Sequence, residues 1–415
     1  MEKFSKIGKI CKDFDVVQLR SVLVKNDSGD WGSEPDNNAV GIIRSTNFNN
    51  DGKLDLKNIA YRTLSSRKLE EKRLFDTEIL VERSGGSETQ PVGRVGYITN
   101  EIAKDLFAFA NFIQRISLNE TVNSKFVYYC LQHLYEMGVT SGMQTQTTGI
   151  RNLDWKQYIN TYLPKPSLRE QTAIANILSK VDEAIESVKK SIDAAERLKK
   201  SMMQNLLTGK MKTDGTFRTE EEFYDDPKFG KVPVGWEVKK VKKCFKFKNG
   251  KGNTTSNLKQ IPDKDFCISV FGGNGITGYF HTALLNEPTI IVGRVGEYCG
   301  NVFKTPERSW VTDNAMLVSE VLMQDFDIDF FTMKLNSLNF KQYSDSTGQP
   351  KITQGSIGNV VFAYPKMVEE QNNIISSIDN ISNSIKYKQS KITTLERLKK
   401  SLMQNLLTGK VRVGE

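Results

Sequence analysis

The sequence predicts an α+β protein built as two copies of one plan. A globular α/β unit is followed by a long α-helix, then the same again, and the two helices pair as an intramolecular antiparallel coiled coil with an internal pseudo-two-fold repeat. Three observations predict this. ERLKKSMMQNLLTGK at 196–210 returns as ERLKKSLMQNLLTGK at 396–410, with Met202 against Leu402 the one difference. At the same offset, VGRVG at 92–96 recurs at 292–296, and Glu170-Gln171 recurs as Glu370-Gln371. Ahead of each fifteen-residue segment, apolar residues fall in alternating steps of four and three, the seam of a coiled coil. A period this long means duplicated domains rather than a solenoid.

The first globular unit, 1–166, mixes short apolar runs with longer amphipathic ones. DTEILVERS (76–84) suits a strand, while ANFIQRISL (110–118) and NSKFVYYCLQHLYEMG (123–138) suit helices. The first long helix, 167–210, carries its seam on Ile174, Leu178, Val181, Ile185, Val188, Ile192 and Ala195. Ser167 and Glu170 have capping-box spacing after Pro164 and Pro166, and Gly209 sits where a left-handed residue closes a helix. Residues 211–231 are polar and aperiodic, as a linker is. The second unit, 232–366, contains a matching strand run, PTIIVGRVG (288–296). The second long helix, within 367–415, repeats the seam at Ile374, Ile378, Ile381, Ile385, Ile392 and Leu395. Lys388 interrupts it, and a lysine stem can still cover apolar surface. Each helix runs about 40 residues, or about 60 Å. A narrow apolar seam needs a partner, and the nearest is the other seam in the chain. The first helix leads away from unit one, so the second runs back toward it.

The 415 residues are 38% hydrophobic and 26% charged, ordinary values for a globular protein, and too many for one core. No apolar run reaches the roughly 18 residues of a membrane helix, and the N-terminus has no signal-peptide pattern. Five scattered cysteines read as reduced, buried thiols, which predicts a cytoplasmic protein. The net charge of +9 is spread evenly along the chain, so charge alone points only weakly to a polyanion.

Catalytic motifs are missing. There is no phosphate-binding Gly-rich loop, no GxGxxG and no GxSxG; His133 and His281 stand apart from any Cys or carboxylate cluster, as ordinary structural or surface histidines. The sequence instead offers polar, Gly-rich loops beside strands. In unit one they carry Arg44, Asn47, Arg83, Ser84, Ser87, Gln144, Gln146, Thr148 and Arg151. In unit two they carry Lys251, Asn253, Asn274, Arg294, Gln349, Lys351 and Gln354. Arg or Lys among amides and hydroxyls suits contacts to phosphates and base edges. The shared Arg94 and Arg294 suit a buried structural role better than base reading, because the two units should read different sequences.

RSGGSETQPVGRVGYI, TGIRNLDWKQYINTYLPKPSLREQTAIANIL, VPVGWEVKKV, FGGNGITGY, TIIVGRVG, TGQPKI and the paired ERLKKSxMQNLLTGK helices together resemble the specificity subunit of type I restriction-modification enzymes. The resemblance spans roughly residues 15–410. It implies two target-recognition domains, each reading half of a split, asymmetric double-stranded DNA site, with the helices fixing the spacer. It also implies docking of two methyltransferase subunits, joined by restriction-translocase subunits. The chain itself would hold no cofactor or metal; S-adenosylmethionine would belong to the methyltransferase, and ATP and magnesium to the motor. A 60 Å rod caps the separation at about 18 base pairs. The rival reading is a helical adaptor whose loops never touch DNA.

Overall fold

The computed structural model describes residues 3–87, 90–147, 150–252, 257–345 and 349–413, with the side chains of 3–4 and 146–147 outside that description. The chain forms two compact units, residues 1–189 with 390–415, and residues 190–389.

In the first unit an antiparallel four-stranded sheet has the order Leu23–Ser28, Ile113–Leu118, Ile79–Glu82, Val95–Tyr97. Alternation along the third of these strands sends Ile79 and Val81 into the main core and Leu80 into a second cluster with Ile43, Phe109 and Ile113. A three-stranded sheet, Phe107–Phe109, Val40–Ile43, Ala60–Arg62, contains one parallel and one antiparallel pair. Helix Ser124–Glu136, capped by Asn123, covers the main core with Phe126, Tyr129 and Leu134.

The second unit repeats this. Its four-stranded sheet runs Phe245–Asn249, Ala315–Val321, Ile290–Gly293, Val302–Lys304, and its three-stranded sheet Gly275–Phe280, Ile268–Gly272, Ser309–Val311. Ile290 and Val292 join one cluster and Ile291 the other, as in unit one. Helix Ile328–Ser337 is capped by Asp327.

Each long helix has 40 residues, Leu168–Leu207 and Val368–Leu407. In unit one the start of the first helix (Ile174, Leu178) shares a core with the end of the second (Met403, Leu406, Leu407), so the two run antiparallel. In unit two the end of the first (Leu206, Leu207) packs with the start of the second (Ile374, Ile378). Ile185, Ile192 and Ile385 are buried, while Val181, Val188, Ile381, Lys388, Ile392 and Leu395 are half-buried, which places the whole predicted seam inward. Ser167 Oγ accepts from Glu170 N at 3.2 Å, and Gly209 and Gly409 take φ of 71° and 74° as left-handed closures.

The recurring Glu-Gln pair has a physical reason. Gln171 is fully buried; its Nε2 donates to Pro166 O at 2.9 Å and its Oε1 accepts from Asn123 N at 2.8 Å. Gln371 does the same with Pro365 O (3.0 Å) and Asp327 N (2.9 Å). One amide thus ties strand end, helix cap and long helix together in each unit. The neighbouring carboxylates pair with arginines, Glu170 with Arg412 at 2.8 Å and Glu370 with Arg218 at 2.7 Å. Gln371→Leu removes the partner of the Asp327 N–H and of the Pro365 and Asp325 carbonyls, and should lower the stability of unit two by about 2–4 kcal/mol, read as an earlier urea midpoint.

Three expectations are corrected. Residues 113–118, read as helix, form a central strand. The 211–231 stretch, read as a linker, holds strand Phe223–Asp226, paired antiparallel with Gly230–Pro233. Cys267 is exposed, although Cys130, Cys244 and Cys299 are buried and all five thiols are free.

Candidate nucleic-acid interface

The polar loops gather at one end of the sheets in each unit. In unit one, Arg83 leaves strand Ile79–Glu82; its N–H donates to Phe112 O at 2.9 Å and its carbonyl accepts from Leu153 N at 2.8 Å. Ser84 Oγ donates to Asn152 Oδ1 at 2.6 Å, and Ser45 Oγ to Ser84 O at 3.2 Å. These bonds join three loops: the one after Val40–Ile43, the strand exit at Arg83, and the hairpin of Gln144–Thr147 with Ile150–Leu153. A cleft of about 530 Å³ opens here, lined by Arg83, Ser84, Asn111, Phe112, Asn152 and Lys156 among others. Beside it, sharing Asn111 and Phe112, lies a slot of about 370 Å³ walled by Trp31, Arg44, Ser45 and Thr46.

Most unit-one candidates converge on this edge. Arg83 is exposed, and its guanidinium has no partner among the described residues; Arg44, Ser84, Gln144 and Arg151 are half-buried. The amide atoms of Gln144 are buried and have no hydrogen-bond partner among the described residues, so the amide is not open to a ligand in this structure. Gln146 stands opposite Arg151 in the hairpin, its side chain outside the described residues, and Thr148 lies outside them altogether. Ser87 closes its own turn, accepting from Gln90 N at 3.1 Å. Asn47 departs from expectation. It is 1% exposed, with Nδ2 donating to Asp55 O at 2.8 Å and Oδ1 accepting from Arg44 N at 3.0 Å, so its amide shapes the loop and is not presented to a ligand.

In unit two, Arg294 leaves strand Ile290–Gly293; its N–H donates to Asn314 O at 2.9 Å and its carbonyl accepts from Ile352 N at 2.9 Å. Lys351 pairs with Val295, Gln349 approaches Gly296, and Asn274 sits exposed in the turn after Ile268–Gly272. Lys251 is exposed, its N–H donating to Val311 O at 2.9 Å. Gln354 is exposed at the first position of the helix Gln354–Gly358. Asn253 lies outside the described residues.

The two VGRVG copies occupy different places. Arg94 precedes the edge strand Val95–Tyr97 and is buried, with Nε on Glu82 Oε2 at 2.8 Å and Nη2 on Glu82 Oε1 at 2.7 Å. Arg94 also donates to the carbonyls of Phe48 and Ser45. The structural role expected for Arg94 therefore holds. Arg294 is half-buried at a strand exit, with one contact to Asp313 O at 3.3 Å, and its counterpart by position is Arg83. Sequence reading missed Trp31, Asn111, Phe112 and the Asp313-Asn314 turn. The signal was a polar break between two apolar runs, Asp313-Asn314 in unit two and Asn111 alone in unit one, where the helical reading hid it.

His133 is buried, its Nε2 at 3.2 Å from Gln404 Oε1, and burial holds its pKa below the usual value. Among the described residues no group of three or more His, Cys, Asp or Glu could hold a metal ion, and no helix is long and apolar enough to cross a membrane.

A duplicated α+β frame presenting two differently furnished polar edges defines a two-headed recognition protein. The chain belongs to the type I restriction modification DNA specificity domain family, which matches residues 12–197 and 233–397. Among its relatives are the type I restriction enzyme MjaVIII specificity subunit of Methanocaldococcus jannaschii, 28% identical over 316 residues covering 71% of this chain and 72% of that one. The putative MjaX specificity subunit of the same organism is 22% identical over 99% of this chain and 96% of that protein. The fold is shared with the S subunit of a type I restriction-modification system from M. genitalium, at a TM-score of 0.54 and 17% identity over 98% of this chain and 99% of that one. A chain from a structure of type I R-M complex assembly has a TM-score of 0.57 at 13% identity, over 97% of this chain and all of the other.

Proposed function

We propose that this chain is the non-catalytic, sequence-reading subunit of a cytoplasmic type I restriction-modification enzyme, each globular unit reading one half of a bipartite, asymmetric duplex site. The observation that carries this is the repeated strand-exit geometry, with the same backbone bonds at Arg83 and Arg294, surrounded by different side chains. Arg44, Ser84, Gln144, Gln146, Thr148 and Arg151 serve one half-site. Lys251, Asn253, Asn274, Gln349, Lys351 and Gln354 serve the other. One frame with two sets of loop residues is what reading two different sequences requires.

The long helices set the gap between half-sites and dock two copies of one methyltransferase subunit. Support comes from the duplicated segment. Glu196, Arg197, Leu198, Lys200 and Ser201 are all exposed, and so are their copies Glu396, Arg397, Leu398, Lys400 and Ser401. Exposed side chains that stay identical while the domains diverge point to one partner met twice. That partner holds S-adenosylmethionine; restriction-translocase subunits bring ATP and magnesium. The adaptor alternative loses ground to membership of a DNA specificity family.

Selection from a randomised duplex pool, using the full chain with its methyltransferase partner, tests the reading. The expected product is two short, dissimilar sequence blocks at a fixed gap. Recovery of unenriched DNA refutes it.

A further inference from the structure

Duplication lets one chain serve as its own comparison, once positions are matched by geometry rather than by the 200-residue offset. Arg83 and Arg294 then coincide. Each follows the strand that occupies the third place in its four-stranded sheet, Ile79–Glu82 and Ile290–Gly293. Each main-chain N–H donates to the residue just before the second strand of that sheet, Phe112 or Asn314, at 2.9 Å. Each carbonyl accepts from a buried aliphatic residue, Leu153 at 2.8 Å or Ile352 at 2.9 Å. The next residue in each case pairs across to Asn152 or Lys351, and the glycine after that has a positive φ, 107° at Gly85 and 91° at Gly296. The arginine is therefore fixed while its surroundings are not. At these matched places unit one has Phe112, Asn152 and Ser84 where unit two has Asn314, Lys351 and Val295.

Resting on the DNA-reading function, we propose that Arg83 and Arg294 are phosphate anchors, gripping the feature that both half-sites share, and that base discrimination belongs to the residues that differ around them. Two dissimilar half-sites have no base edge in common, but every half-site has phosphodiesters at the same spacing. A side chain kept at one geometric position in two readers of different sequences fits the common feature. The open guanidinium of Arg83 and the single carbonyl contact of Arg294 leave both with donors to offer.

The test uses the full chain with its methyltransferase partner and the selected site. Arg83→Ala and Arg294→Ala, and the pair together, are assayed on the cognate duplex, on single-base variants of it and on unrelated DNA across a salt series. Each single change should weaken binding to every duplex by a common factor. The slope of log affinity against log salt should become shallower by about 0.9 per variant, with the order of base preferences unchanged. Arg83→Lys and Arg294→Lys should keep most of the affinity and slope, since an ammonium meets a phosphate as a point charge, whereas it lacks the planar fork with which a guanidinium holds a base edge. Two results overturn the inference: relaxed preference at one base pair of one half-site with the Lys variant failing like the Ala variant, or an unchanged slope in both Ala variants. Absence of any sequence preference in the unaltered complex sinks the DNA-reading function itself, a result distinct from either.

Discussion

Replacing Arg94 with methionine is expected to cost unit one about 3–5 kcal/mol, because it strands a carboxylate in the core. Glu82 is fully buried, and its two oxygens accept from Arg94 at 2.8 and 2.7 Å. Burial pushes the Glu82 carboxyl above its ordinary value, and the guanidinium pulls it back. Without the arginine, burial is opposed only by the weaker hydrogen bond from Ser45. The sign follows directly: a carboxyl whose folded pKa is raised binds its proton more tightly in the folded state. The penalty of the variant is therefore largest at neutral pH and shrinks as pH falls toward the unfolded carboxyl range. Adding Glu82→Leu removes the stranded charge and should recover much of the loss. It does not restore the donors to Phe48 O and Ser45 O. Ser45 is bonded to Ser84 beside Arg83, so the double variant should fold yet read the first half-site poorly while reading the second normally. Urea unfolding at pH 5 and pH 7, with half-site-resolved methylation, checks both parts.

The same residue shows what sequence could and could not supply. Helices were legible because their information is local: heptad steps, Ser167 and the closing glycines each act within a turn or two. The strand 113–118 was not, because it is covered on both faces. Ile113 and Ile116 stand three apart, which imitates helical spacing, yet in a strand that odd separation sends them to different clusters, as observed. Between them, Gln114 and Arg115 are buried polar residues, Arg115 held by Asp27 at 2.9 Å, so polar-outward alternation is erased. Low apolar content concealed the hairpin at 223–233, where Val232 and Pro233 alone are buried. In the candidate interface, loop composition picked out residues that the fold gathers at one edge of each unit. It could not tell Asn47, spent on its own loop, from Arg44 beside it. VGRVG misled for a related reason: five identical residues carry no statement of which strand they border. Loops of different length shift the alignment, so the match for Arg294 lies 211 positions away at Arg83, and only the bonds to Phe112 and Asn314 reveal it.

Lys334→Met should stabilise unit two at neutral and mildly acidic pH, and the gain should vanish in alkali. Lys334 is 4% exposed, donates to the terminal carbonyl of the first long helix at Leu207, and lies 5.4 Å from the ring of Trp236. No carboxylate pairs with it among the described residues, and burial lowers its pKa to about 7. Helix-end carbonyls favour a cation, but a partial charge offsets only part of the cost of drying an ammonium. The matched place in unit one, seven residues beyond the helix cap, is Cys130, small and fully buried, so the fold does not require a charge there. Because the folded pKa is depressed, the unfolded chain binds the extra proton between about pH 7 and its ordinary value near 10.5. Stability supplied by the neutral amine is therefore present above that window and lost as pH falls through it. The full swing is on the order of 3–5 kcal/mol. Methionine fills the same volume without titrating, so the difference between variant and parent isolates this group from every other one. Denaturation midpoints of the two proteins at pH 6, 8 and 10 should converge as pH rises; parallel curves would mean that Lys334 keeps its proton in the core, sustained by the Leu207 carbonyl and the Trp236 face.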